Sequence, residues 1–427
     1  MKQIRLLLFW IVLFVGGLWC FTACNNDDDP VVEPSAEELR LREGYLVLGS
    51  LDGSTLVQYY NELPTGTVDV TQGTDFQEFF PTSVINSTIY TITTDGSNGI
   101  EKIIVNESGQ LQIVGEISTV DFVRSLSVRD SLLGVFHDIN DASTLTAFNP
   151  TTMEVTGSID MSIVSELGRE EGEIGYGGFA FRGQNEMIVA LDATPRLPGA
   201  PRAIIDLNTM RATSITTFEE GNLLNPPIIV TNSHFDENGN YYGPNFSSEG
   251  IPTVSGTILK IPAGQDSYDP LYNFQVPLQN NPQQLALGGS FLTAFEYYGN
   301  NKGLAVINES LPPRVIEIVF VENGGDFDNI DQNELNEILT LLTTSPTAIV
   351  AEVDMVTQAI TKVEGVPSVR VFGGAGLVNI DNQAYFILRS EEANGLYRHL
   401  GGTSAELVFE GTGATMAGVI DLSQDYQ

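Results

Sequence analysis

Side chains able to do chemistry are few and scattered in this chain. His137, His234 and His399 are its only histidines, and none stands in an H-E-x-x-H pattern that would turn two imidazoles toward one metal. No G-x-S-x-G turn presents a serine nucleophile, and no P-loop presents a phosphate cradle. Gly373-Gly374-Ala375-Gly376 is rich enough in glycine for a dinucleotide-binding turn. A strand pattern follows it, however, so no helix N-terminus would meet a pyrophosphate. With 55 acidic side chains against 19 basic ones, paired carboxylates occur everywhere and carry no information. The chain therefore reads as a non-enzyme that needs no cofactor. Two acidic runs contain hard oxygen donors. Asp236-Glu237-Asn238-Gly239-Asn240 reads as a hairpin turn with Gly239 at positive φ. Asp326, Asp328, Asp331 and Glu334 lie beside a Gly pair and are candidate calcium ligands, although they lack the glycine spacing of an EF-hand loop.

The elements that must position these residues are short strands. Tyr45–Leu48, Thr88–Ile92, Leu132–Phe136, Glu186–Ala190, Asn240–Gly243, Phe291–Phe295 and Ala384–Leu388 form one recurring series, separated by turn signals. Their spacing of about 40–50 residues, with several strands in each unit, predicts a β-propeller. The last step is about twice as long. Leu335, Ile338, Leu339 and Leu342 at helical spacing place a loop-plus-helix insertion near 323–346. The first unit lacks the inner strand that others carry, and Thr415–Ile420 has the length and character to supply it. The expected fold is thus all-β: a seven-bladed propeller closed by strand exchange between its N- and C-terminal ends, which would hide two sheet edges.

With the repeat as a ruler, scarce basic residues and aromatics recur at comparable positions. Segments leading into inner strands carry Arg124, Tyr176, Arg370 and Phe372, and loops after second strands carry His137, Arg196, Tyr298 and Arg389. All eight are expected around one mouth of the central channel. Arginine supplies planar charge-assisted donors, and the aromatics supply flat apolar walls. Such a mouth suits an anionic, aromatic-rich small molecule. The competing reading pairs each Arg with a carboxylate and buries each aromatic between blades.

The beginning of the chain bears on location. Lys2 and Arg5 precede an apolar run from Leu6 to Leu18, and Phe21-Thr22-Ala23-Cys24 resembles a bacterial lipobox, in which the cysteine sulfur is acylated. A transmembrane anchor is the alternative. The expected organisation is a signal peptide over 1–23, an acidic flexible tether over 24–38, and one propeller over 39–427. Asn25-Asn26-Asp27-Asp28-Asp29 resembles an export signal for the outer face of the outer membrane. Only Cys20 and Cys24 occur, so the body holds no disulfide and relies on its core. A formal charge of −36 repels nucleic acid and anionic lipid, so neither is an expected partner, and contact with a membrane is expected through the lipid anchor alone.

Gly239-Asn240-Tyr241-Tyr242-Gly243 and Ser255-Gly256-Thr257-Ile258-Leu259-Lys260-Ile261-Pro262-Ala263-Gly264, followed by Tyr268-Asp269, resemble the surface lipoproteins of xenosiderophore utilisation. That resemblance implies a seven-bladed propeller that captures a ferric siderophore outside the cell. It would work beside a TonB-dependent outer-membrane transporter. It carries no ligand contact over residue by residue. The alternative is an interaction scaffold whose propeller face holds protein partners and has no small-molecule site.

Overall fold

β-Branched and aromatic residues alternate with short polar turns, and the backbone follows with 29 strands among the described residues. The computed structural model describes residues 42–425 except 78, 80, 139–142, 169–173, 194–198, 219–233, 246–255, 277–290 and 325–328. Residues 1–38 with Cys24, and also Arg196, Asp326 and Asp328, lie outside the described residues.

The strands form antiparallel meanders in chain order. The first are β1 (Tyr45–Leu51), β2 (Ser54–Tyr60), β3 (Gly66–Asp69) and β4 (Thr74–Phe76). β5 (Pro81–Ile85), β6 (Thr88–Ile92), β7 (Gly99–Val105) and β8 (Leu111–Ser118) make one sheet in that order. β9 (Val123–Val128), β10 (Gly134–Asp138), β11 (Thr144–Asn149) and β12 (Glu154–Asp160) make a second meander. β13 (Ile174–Arg182), β14 (Glu186–Ala193), β15 (Arg202–Asp206) and β16 (Arg211–Thr216) make a third. These two join in an eight-stranded sheet through a single parallel pair of outer residues, Asp160 and Arg211. β17 (His234–Phe235), β18 (Tyr241–Asn245), β19 (Thr257–Ile261) and β20 (Asn273–Gln275) follow. β21 (Leu292–Gly299), β22 (Lys302–Asn308), β23 (Ala348–Asp354) and β24 (Ile360–Lys362) form the next sheet. The last meander is β25 (Ala375–Ile380), β26 (Gln383–Arg389), β27 (Asn394–Gly401) and β28 (Ser404–Thr412).

Two long-range pairings complete the arrangement. β29 (Thr415–Asp421) lies antiparallel to β1, from Tyr45 opposite Asp421 to Ser50 opposite Thr415. The C-terminal strand thereby becomes the innermost member of the sheet β29-β1-β2-β4. β3 leaves that sheet and pairs in parallel with β28, from Gly66 opposite Phe409 to Asp69 opposite Thr412. It covers the outer edge of the last meander, which would otherwise present unpaired main-chain groups.

Alternate residues of each strand point to opposite faces, so every sheet must bury two apolar sides. In β1, Leu46 and Leu48 join Val84 and Ile103 of the following sheet, whereas Val47 joins Tyr385 and Phe409 of the last. Comparable clusters lie between each further consecutive pair of meanders. The inner strand β9 packs beside β5 and β13, and β25 packs beside β21 and β29. This is a propeller-like, all-β arrangement. Its inner strands all run from one end of the channel, called here the leading end, to the other, the trailing end.

The insertion between β22 and β23 is longer than the sequence suggests. It begins with an α-turn at Pro313–Ile316 that continues as a π-helix over Glu317–Glu322, and then carries the helix Gln332–Thr344. Val315, Ile318, Val319, Ile338 and Leu342 are buried in one cluster with Val369 and Val371. The insertion is therefore part of the core at the leading end, beside the segment that carries Arg370 and Phe372.

Candidate functional site

In an antiparallel meander, the start of the first strand and the end of the second share one end of the sheet. Arg124 and Tyr176 stand near the starts of β9 and β13, and His137 stands near the end of β10, opposite Ser125. These three meet at the leading end. The His137 and Tyr176 rings are buried edge to face, with centroids 4.7 Å apart. The Ser125 hydroxyl donates to the Tyr176 carbonyl at 2.6 Å. The Arg124 guanidinium rests on the backbone of Gly175, where a Cβ would come within 2.0 Å of Nη1. Only glycine permits that approach.

A second group occupies the same end of the last meander. Arg389 closes β26, and Arg370 and Phe372 precede β25. Phe372 packs against Phe291 at 5.8 Å between centroids. The Arg389 guanidinium donates to the carbonyls of Met416 at 2.8 Å, of Gly373 at 3.3 Å, and of Ala417. It therefore ties the loop before β25 to the closing strand β29. Burial, and then the neighbouring Arg370 charge, bring its pKa down to about 10. Arg370 is exposed and has no hydrogen-bond or ion-pair partner among the described residues.

Tyr298 stands elsewhere. The run Phe291–Phe295, read as a second strand, leads into and begins the inner strand β21, and the second strand is β22. Tyr298 thus lies near the trailing end, away from the mouth expected for it. Its hydroxyl donates to Glu352 Oε2 at 2.7 Å, and burial together with that carboxylate pushes the phenol up. Glu352 also accepts from His399 Nε2 at 2.9 Å, from the Gly402 N–H at 2.9 Å and from Lys302 Nζ at 3.1 Å. Burial alone would raise its pKa, but these donors outweigh it and hold the value at about 2.

Asp331 and Glu334 serve the helix. Asp331 Oδ1 accepts from the N–H groups of Asn333 and Glu334 at 2.7 and 2.9 Å. Glu334 Oε2 accepts from the Asp331 N–H at 2.8 Å, which completes a capping box. Among the described residues no three His, Cys, Asp or Glu side chains converge as metal ligands. Asp236 accepts from the N–H groups of Asn238 and Asn240, both at 2.9 Å, as a hairpin turn requires.

The repeat ruler, read only at the leading end, misses a cavity of about 500 Å³ toward the trailing end. Phe179 and Phe181 of β13, Phe235 of β17, Glu296 of β21, Asn379 of β25 and Asp421 of β29 line it. The same ruler carried to the far ends of the inner strands finds most of these positions.

No family model matches this chain, and no curated protein matches it. Solved structures similar to it include a Bacteroides caccae protein of unknown function (11% identity, TM-score 0.40, covering 78% of this chain and 97% of that one). Another is the β-propeller domain of Cps50 (Swd1) from Myceliophteria thermophila (9% identity, TM-score 0.45, 79% and 90% covered). A third is a complex of KlAtg21 with the coiled-coil of AgAtg16 (11% identity, TM-score 0.43, 88% and 99% covered). Likenesses this distant carry no functional argument, and the fold assignment rests on the sheets themselves.

Proposed function

We propose that this chain is a seven-bladed propeller held on the outer face of the outer membrane by lipid on Cys24. There it captures a ferric siderophore, or a similar anionic aromatic molecule, and passes it to a TonB-dependent transporter. The eight-stranded sheet counts as two blades because one residue pair joins its halves. The apolar clusters shared by consecutive meanders, the last of them closing onto the first, support the same count.

Arg370 carries the ligand reading. In a chain with 55 acidic and 19 basic side chains, a guanidinium would ordinarily find a carboxylate. Arg370 instead stands exposed beside Arg389, with Phe372 two residues on as an apolar wall. Among the described residues no carboxylate pairs with either of these adjacent cations, and such a pair of cations attracts an anion. Calorimetric titration with a ferric catecholate complex tests this. Arg370→Ala should weaken binding about tenfold or more, as loss of a charged hydrogen bond does. Affinity equal to that of the parent would remove the mouth from consideration.

A scaffold without a small-molecule site is the second reading, favoured by Val120 and Phe122. They precede β9 at the leading end and are 88% and 48% exposed. Val120→Ser with Phe122→Ser should spare siderophore affinity under the first reading. Under the second, it should abolish recruitment of the transporter while no siderophore binds at all.

A further inference from the structure

Gly373-Gly374-Ala375-Gly376 joins the loop after Arg370 to β25, and its missing side chains seat the two arginines of the leading-end mouth. A Cβ on Gly376 would come within 2.7 Å of Arg389 Nη2 and 3.4 Å of Cζ, so the guanidinium occupies the space that a side chain would fill. From there Nη1 reaches the Gly373 carbonyl at 3.3 Å, and the Arg389 main-chain N–H donates to the Gly374 carbonyl at 2.8 Å. The same guanidinium holds the carbonyls of Met416 and Ala417 on β29. Gly374 in turn abuts Arg370, because a Cβ there would run into the Arg370 carbonyl and come within 2.9 Å of its Cγ. Each of the three guanidinium nitrogens of Arg389 is thus turned to a carbonyl, and through Gly373 and Gly374 they fix the backbone from which Arg370 projects.

We infer that Arg389 is a positioning residue of this mouth and not a ligand contact, and that Gly376 is what lets it act. The guanidinium carries the placement of the closing strand β29 to the Gly373-Gly374 corner, and that corner sets where Arg370 meets an anion. This role rests on the siderophore reading of the mouth. It divides the work between the two arginines: Arg370 bonds the ligand, and Arg389 holds Arg370 where it can. Binding groups must be held to within about 0.5 Å of their productive geometry, so a shifted loop weakens binding even with both charges present.

Gly376→Ala tests this, because it keeps both arginine charges and displaces the guanidinium of Arg389. The Gly376 backbone lies outside the left-handed region, so alanine suits the strand. Calorimetric titration of the full chain in detergent with a ferric tris-catecholate complex should show affinity weakened about tenfold or more. In the Arg370→Ala background the same substitution should weaken it no further, since a residue acting through Arg370 loses its effect once that side chain is gone. Gly157→Ala, where a Cβ would meet nothing within 4 Å, should bind as the parent does. Parent affinity in Gly376→Ala would overturn the positioning role and leave the siderophore reading standing. So would an equal loss in the Arg370→Ala background, which is the mark of a general loosening of the last meander. A parent chain that does not bind the complex would remove the siderophore reading, and the positioning role with it. If Gly376→Ala does not fold, Arg389→Lys decides by the same pair of measurements, since it keeps the charge without the planar fork.

Discussion

Arg370 and Arg389 show how two arginines a short distance apart acquire different work. Arg389 spends its donors on three main-chain carbonyls, two of them on β29. Arg389→Ala leaves those carbonyls short of a donor at roughly 1–3 kcal/mol each, and Arg389→Lys cannot reproduce the planar fork. Both variants should lower the thermal midpoint, whereas Arg370→Ala should leave it unchanged. Glu352 sets a pH dependence. Its folded pKa of about 2 lies below the ordinary 4.5, so its stabilisation is complete above about 4.5 and fades as the pH falls toward 2. Urea unfolding followed from pH 6 to pH 2 should show that loss, and Glu352→Gln should flatten it. Glu352→Ala leaves the buried His399 and Tyr298 without their acceptor and should cost about 3–5 kcal/mol at neutral pH.

Among elements, the insertion between β22 and β23 departs most from what its sequence implies. As a helix on a loop it reads as an excursion that could be deleted. In the fold, Ile338 and Leu342 are each 1% exposed and packed against Val315, Ile318 and Val319. Arg314 meanwhile holds Glu317, Glu322 and Glu337 together across both helical stretches. Removing 323–346 should therefore open the core beneath Val369 and Val371 and lower the unfolding midpoint, even with a flexible linker rejoining the strands. Ile338→Ala alone should cost about 2–5 kcal/mol. Loss of the capping box through Asp331→Ala should cost only about 1 kcal/mol. Denaturant titrations of the two variants separate these magnitudes.

At the scale of the molecule, closure rests on one strand. β29 supplies the inner edge of the first sheet, and Met416 and Val419 fill the cluster shared with the last sheet. Truncation at Gly413 should expose the edge of β1 and two apolar faces, lowering the midpoint and promoting aggregation measurable by light scattering. An unchanged midpoint would mean that the ring does not depend on that pairing. Circular permutation joining β29 directly to β1 should be tolerated, because it preserves every sheet contact.

Strand content, turn positions and the closing strand were legible in the sequence because each depends on local alternation or on an evident gap in the repeat. The Asp236–Gly239 hairpin and the helix at Leu335–Leu342 were readable for the same reason. The distribution of residues between the two ends of the channel was not. Phe291–Phe295 carries the same apolar pattern whether it is a first or a second strand, and only its pairing with β22 sends Tyr298 to the trailing end. Nothing local distinguishes an arginine clamped to distant carbonyls from an exposed one, since Met416 and Ala417 reach Arg389 only when the ring closes. The pairing of β3 with β28 joins segments from nearly opposite ends of the chain, and the cavity beside Asp421 gathers residues from Phe179 to Asp425. Periodicity along a strand records which face is buried, but which strand lies opposite is set by long-range packing, and the chemistry of both ends follows from that.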